Sequence, residues 1–164
     1  MGLDMYLYRV PKGSEVYKSE EEIAALPEES KVFVLPKEGE PWNGSPSQPK
    51  HEYYHAEGVE EVGYWRKANA IHGWFVNECG GGVDECQPIP VHPEQIIDLR
   101  SRCHQVLDDH GTAMTLLPPM RGFFFGTYDL DEWYFKDLEE TIKIIDELAA
   151  TAKPGYELIY QASW

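Results

Sequence analysis

Leu3, Met5 and Leu7 alternate with Asp4, Tyr6 and Tyr8. That two-residue period predicts a strand over Leu3–Val10. Ser19 with Glu22 makes a capping box for a short helix that Pro27 stops. Lys31–Leu35 is an apolar run closed by Pro36, a second strand candidate. From Pro36 to Lys50 prolines, glycines and serines accumulate, which predicts an exposed loop over about 36–50. The first main helix is expected from about Glu60 to Asn77, ended by Gly80-Gly81-Gly82. A second begins at His92-Pro93, with proline at its first position, and runs to about Asp109. A third follows Phe123–Phe125, capped by Asp129 with Glu132, and continues to about Ala152. Its apolar face is read as Trp133, Tyr134, Leu138, Ile142, Ile145 and Leu148. Tyr156–Tyr160 reads as a closing strand.

The expectation is therefore an α+β chain, one domain over 1–164. Three main helices pack with a small antiparallel sheet that includes the N- and C-terminal strands. At 164 residues the chain is long enough to bury a real core.

Charge changes the picture more than composition does. Fourteen basic residues against 29 acidic ones give a net charge of −15. Such a surface repels nucleic acid and anionic membrane, so direct nucleic-acid binding is disfavoured unless a local basic pocket exists. No apolar run approaches the ~20 residues that span a bilayer. The first residues lack the basic and apolar regions of a signal peptide, and Cys79, Cys86 and Cys103 do not form a secreted disulfide framework. A cytoplasmic protein is expected.

The residues richest in recognition chemistry lie in Tyr64–Val76. On a helical wheel of about 100° per residue, Tyr64, Ala68, Ile71, Phe75 and Cys79 form the core stripe. Trp65, Asn69 and His72 then fall beside it at i, i+4 and i+7, with Arg66 further round and Lys67 and Trp74 on the opposite shoulder. Trp offers a face for stacking, Arg a fork for phosphate or carboxylate, and Asn and His read donors and acceptors. The candidate ligand-binding set is Trp65, Arg66, Lys67, Asn69, His72, Trp74 and Phe124, the last from the glycine-bracketed run Gly122–Gly126. Such a set suits a small anionic ligand with an aromatic part, such as a nucleotide. A purely structural reading competes, with both tryptophans as core edges and His72 bonded to a carbonyl.

Other constellations are weaker. Cys79, Cys86, His92 and Cys103 lack zinc spacing, so no metal is expected. Gly80–Val83 lacks the Lys-Ser/Thr of a phosphate loop, and no nucleophile elbow is present. Asp129, Asp131 and Glu132 read as helix-capping carboxylates rather than a catalytic pair. Neither a catalytic nor a cofactor fingerprint is present, and no cofactor is expected.

Three segments carry a resemblance: Met1–Leu7, Val62–Val76 with its Tyr-Trp-Arg-Lys-Ala-Asn-x-Ile-His-x-Trp-Phe motif, and Gly122–Gly126 followed by Tyr134–Leu138. Together they resemble an uncharacterised family of small phage and prophage proteins. The resemblance implies a bacteriophage origin and action in the host bacterial cytoplasm, and implies no activity. The leading expectation is a non-enzymatic binding protein acting on host or anti-phage defence. It either sequesters a small anionic, nucleotide-like ligand or inhibits a defence protein. One alternative is a small hydrolase or phosphoesterase using His72 and Arg66. Another is an acidic inhibitor that occupies a nucleic-acid-binding surface. An exposed aromatic helix would also serve as a homo-oligomer face.

Overall fold

The structure, a computed structural model, describes residues 2–12, 15–27, 32–35, 52–56, 58–122 and 124–164. In chain order its elements begin with β1 (Asp4–Pro11), β2 (Glu15–Lys18), α1 (Glu20–Ala24), β3 (Val32–Leu35), β4 (Glu52–Ala56) and β5 (Glu60–Arg66). Next come α2 (Asn69–Trp74), a π-helical turn (Phe75–Cys79), β6 (Ile89–Val91) and α3 (Pro93–Asp108). A 3-10 turn (His110–Thr112), α4 (Ala113–Leu116), α5 (Glu132–Ala150) and β7 (Tyr156–Ser163) complete them. The fold is α+β, as expected. The expected 36–50 loop lies outside the described residues.

An antiparallel four-stranded sheet is ordered β5-β1-β7-β6, so the first and last strands of the chain pair at its centre. A second sheet is ordered β2-β4-β3. The main sheet shows why alternation in β1 matters. Met5 stands opposite both Trp65 and Ala162, and Leu7 opposite both Gly63 and Tyr160, with Ile89 next in that row. These residues point to one face and are buried with α2, α3 and α5 in one continuous core. The even positions Tyr8 and Val10 point to the other face and form a smaller cluster with Ile159. A one-residue slip of β1 would exchange the two sets, so the register is strongly specified.

The sequence expectation differs from the structure most over 60–77. That segment is not one helix. It is a strand to Arg66 and a short helix only from Asn69. The strand alternates, with Gly63 and Trp65 buried and Tyr64 and Arg66 exposed, so Tyr64 is not a core residue. Two long helices, α3 and α5, cover the sheet, and the third expected one is replaced by the shorter α2 with its π-helical turn. Asp131 rather than Asp129 caps α5, its carboxylate accepting from the Trp133 and Tyr134 N–H groups at 3.1 Å each. The capping box at Ser19 is present as expected, and α3 starts at Pro93.

Two contacts fix α5 on the sheet. Arg9, buried on the helix side, donates to the Thr151 carbonyl at 2.7 Å, at the C-terminal end of α5. It also pairs with Glu60, which takes a further bond from Lys153 at 3.1 Å. A guanidinium at that end complements the helix dipole. Its hydrogen bond, followed by that of Lys153, holds the Glu60 carboxyl below its ordinary range. The second contact is at Gly63, where a Cβ would lie 2.9 Å from Ile144 Cγ2 and 3.1 Å from the Trp65 ring. Gly63→Ala is expected to destabilise the fold by about 1–3 kcal/mol through overpacking. Urea denaturation checks this, and an unchanged midpoint would mean that α5 does not seat on β5 as described.

Candidate functional site

The site begins where β5 ends. Strand alternation alone would send Arg66 and Lys67 to opposite faces. Lys67 instead has φ +57°, a left-handed conformation uncommon outside glycine. Its N–H still donates to the Leu3 carbonyl at 2.8 Å, so the turn comes directly off the sheet ladder. The turn brings the two cations together. A Cβ on Gly2 would lie 3.4 Å from Lys67 Cε and 3.5 Å from Arg66 Nη2, so both side chains pass the same bare stretch of backbone. The Arg66 side chain is 60% exposed and reaches Asp4 only at 4.0 Å.

The opposite wall comes from the start of α5 and the segment before it. Between them lies a cleft of about 340 Å³. Arg66, Lys67, Gly126, Thr127, Asp129 and Trp133 line it, as do the buried residues Ala70, Ile71, Tyr134 and Leu138. Asp131 and Asp137 also face it. Trp133 is 63% exposed, so the expected apolar face of α5 is corrected there. Lys136 Nζ lies 4.6 Å from the centre of its indole ring, a cation–π contact.

Asp137 is the residue that sequence reasoning missed. It follows Tyr134 by three positions and precedes Thr141 by four, and both are buried. An acidic residue beside the inward stripe of an amphipathic helix was the available signal. Among the described residues its carboxyl makes no hydrogen bond. Burial, and secondarily the negative charge of Asp131, push it up to about 7. A half-buried carboxyl that titrates near neutrality in a cleft is a mark of functional sites.

The sequence-chosen residues divide. Arg66, Lys67 and Asn69 line the cleft. Asn69 does so with its amide already engaged, donating to the carbonyls of Phe125 at 3.0 Å and Thr127 at 2.8 Å. It holds the far wall in place. Trp65 is 4% exposed and faces the core, its indole N–H donating to Thr141 Oγ1 at 2.9 Å. His72 is 1% exposed and lies outside the cleft. Its Nδ1 meets the Tyr160 hydroxyl at 2.6 Å and its Nε2 meets Asp84 at 3.0 Å. Burial keeps the Tyr160 phenol protonated, well above its ordinary range. The Asp84 carboxylate can only accept, so the Nε2–H of His72 donates to it. Asp84 also accepts from the Trp164 indole at 3.1 Å. This network ties α2 to the C-terminal strand. Trp74 is buried and lines a separate depression with Arg102 and Met120. Phe124 is half-buried, and its carbonyl accepts from Leu3 N–H at 3.3 Å, outside the cleft lining.

Cys79, Cys86 and Cys103 are free thiols. Burial raises all three, Cys79 and Cys103 to about 12, which leaves them unreactive near neutral pH. Among the described residues no group of three or more His, Cys, Asp and Glu side chains converges on a metal position, and no helix is long and apolar enough to cross a membrane. Compared with known proteins, the chain matches no family model, no curated protein and no solved structure, so its own geometry must carry the functional reading.

Trp65→Ala is expected to cost about 3–5 kcal/mol of stability, as core Trp truncations do. A denaturation curve unchanged from the wild type would place Trp65 outside the core. Asp137 generates a pH prediction. Its folded value lies above its unfolded one, so the folded state holds the proton more tightly. That contribution is full below about pH 4 and is lost as pH rises through about 7. Asp137→Asn removes this loss. Its melting temperature relative to the wild type should therefore climb between about pH 4 and 7 and level off above. A difference that stays flat with pH would show that Asp137 titrates as an ordinary surface carboxylate.

Proposed function

We propose that this chain is a binding protein that sequesters a small anionic, nucleotide-like ligand in the cleft between the β5–α2 junction and the start of α5. The supporting observation is the left-handed turn at Lys67. It sets two cations side by side at the mouth of a cleft with an exposed indole, on a chain whose net charge is otherwise strongly negative. A cationic spot in a negative field draws an anion to one place and excludes it elsewhere. A volume of about 340 Å³ falls in the range of small-molecule sites. Asn69 supports the reading because its two bonds fix the 125–127 wall relative to α2, a preorganised site rather than a collapsed one.

The biological setting rests on the resemblance to phage proteins alone. Under it, the chain acts in the host bacterial cytoplasm, and removing a small signalling anion from an anti-phage defence is the consequence of binding. A defence protein as the partner is the competing form of the same proposal. The hydrolase alternative loses its pairing, since Arg66 lines the cleft and His72 does not. If chemistry occurs in the cleft, Asp137 is the group placed for acid–base work.

Native mass spectrometry of the protein purified from bacteria tests the reading. A non-covalent adduct that leaves on denaturation is expected, and Arg66→Ala should reduce its occupancy at least ~10-fold, the scale on which lost charge-assisted bonds act. An unchanged protomer mass, together with capture of a host protein, would move the function to a protein partner.

A further inference from the structure

The cleft is not a simple anion site, because its charges do not match a simple anion. Two cations line it against three carboxylates. Asp131 is engaged as the cap of α5, its Oδ1 accepting from the Trp133 and Tyr134 N–H groups and its Oδ2 from the Thr127 hydroxyl at 3.5 Å. The Asn69 amide is committed to two carbonyls, and the Tyr134 hydroxyl to the Leu117 carbonyl at 2.7 Å. Among the described residues, Lys67, Asp129 and Asp137 make no side-chain hydrogen bond, and Arg66 has only its long contact to Asp4. The uncommitted groups are therefore two cations at one end and two carboxylates on the α5 side. Asp137 is half-buried and lines the cleft together with the buried residues Ile71, Tyr134 and Leu138. A pure anion would satisfy the cations and leave Asp137 facing like charge. A ligand with a second, positive group would satisfy both.

Resting on the reading of this cleft as a small-ligand site, we infer that its ligand is zwitterionic. An anionic group is held by Arg66 and Lys67, and a protonated amine by Asp137, with Asp129 at the rim. The lining favours this class because an ammonium supplies three donors to a carboxylate that has none, and its charge offsets the excess of carboxylates over cations in the cleft. The charged groups around Asp137 are Asp131 and Asp129 from its own side and Arg66 and Lys67 from the facing side. An arriving ammonium favours the ionised carboxyl and an arriving anion disfavours it. At Asp137, zwitterion binding near pH 7 therefore releases a proton and anion binding takes one up, while the phosphate's own second ionisation, at about 6, adds a release common to both phosphates.

Titration calorimetry at pH 7, in two non-phosphate buffers of different ionisation enthalpy, tests this with three probes. They are O-phosphoethanolamine, ethyl phosphate, which lacks the amine, and ethanolamine, which lacks the phosphate. Phosphoethanolamine should bind at least ~10-fold more tightly than either and release at least about half a proton more than ethyl phosphate does, as expected for a group titrating near 7. Asp137→Asn should remove that advantage and that extra release while leaving ethyl phosphate binding equal or stronger. Arg66→Met should weaken both phosphates alike and leave ethanolamine unchanged, so a misfolded Asp137 variant would not decide the matter. Ethyl phosphate binding as tightly as phosphoethanolamine, or equal proton exchange by the two phosphates, would overturn the zwitterion and leave the anion cleft standing. Failure of every probe to bind at ~20 mM would overturn both.

Discussion

The contact on which the rest depends is the bond chain from Trp65 through Thr141 to Asp137. The Trp65 indole donates to the Thr141 hydroxyl at 2.9 Å, and that hydroxyl donates to the Asp137 carbonyl at 2.6 Å, one turn back along α5. A Thr that bonds back to the carbonyl four residues earlier has its oxygen held in place, so the indole has a fixed acceptor. Because Trp65 must face inward to reach it, Arg66 faces outward and the strand ends against α5 at a set position. The same chain carries the backbone of Asp137 to the cleft. One buried pair thus fixes the distance between the cationic and carboxylate walls.

The sheet supplies the other half of that constraint. Its inward rows, Trp65–Met5–Ala162 and Gly63–Leu7–Tyr160–Ile89, run across three and four strands. Tyr160 stacks on Phe75 at 3.9 Å and bonds His72, so the row beneath α2 is both packed and hydrogen-bonded. Arg9 holds the far end of α5 while Trp65 holds its middle. The start of α5 has a separate hold, the Tyr134 hydroxyl donating to the Leu117 carbonyl at 2.7 Å.

Much of this was legible in the sequence. The alternation of β1, the capping box at Ser19, the proline start of α3 and the closing strand all have local causes. The segment 60–77 was not, because two periods fit it. Tyr64, Ala68, Ile71 and Phe75 are spaced for a helix, yet Val62, Tyr64 and Trp65 are strong strand formers and Gly63 is poor in a helix interior. The sheet decides between them, since β5 pairs with β1, some 60 residues away, and among the described residues with no other strand. The left-handed turn at Lys67 has no local signature at all, and without it Arg66 and Lys67 would not share a cleft. The spacing of Asp129 to Glu132 suits a cap of α5, but Asp131 wins by reaching two N–H groups at once.

Residue type alone could not separate site from scaffold, because Trp, Asn and His serve both. For Trp65, Asn69 and His72, what decides is that their hydrogen-bonding capacity is already used; Trp74, whose buried indole N–H has no partner among the described residues, lies outside the cleft. His72 has both ring nitrogens engaged in the core, and Asn69 has both amide hydrogens on carbonyls. Neither has a donor left for a ligand. Both are needed all the same, one to hold α2 to the C-terminal strand and the other to hold the cleft wall. Arg66, Lys67 and Asp137 have no close partner among the described residues, the two cations exposed and the carboxyl half-buried. A half-buried carboxyl left without a partner costs stability that a paired residue would recover, and proteins tolerate such a cost mainly where function requires it. The functional reading therefore rests on the groups that folding has not consumed.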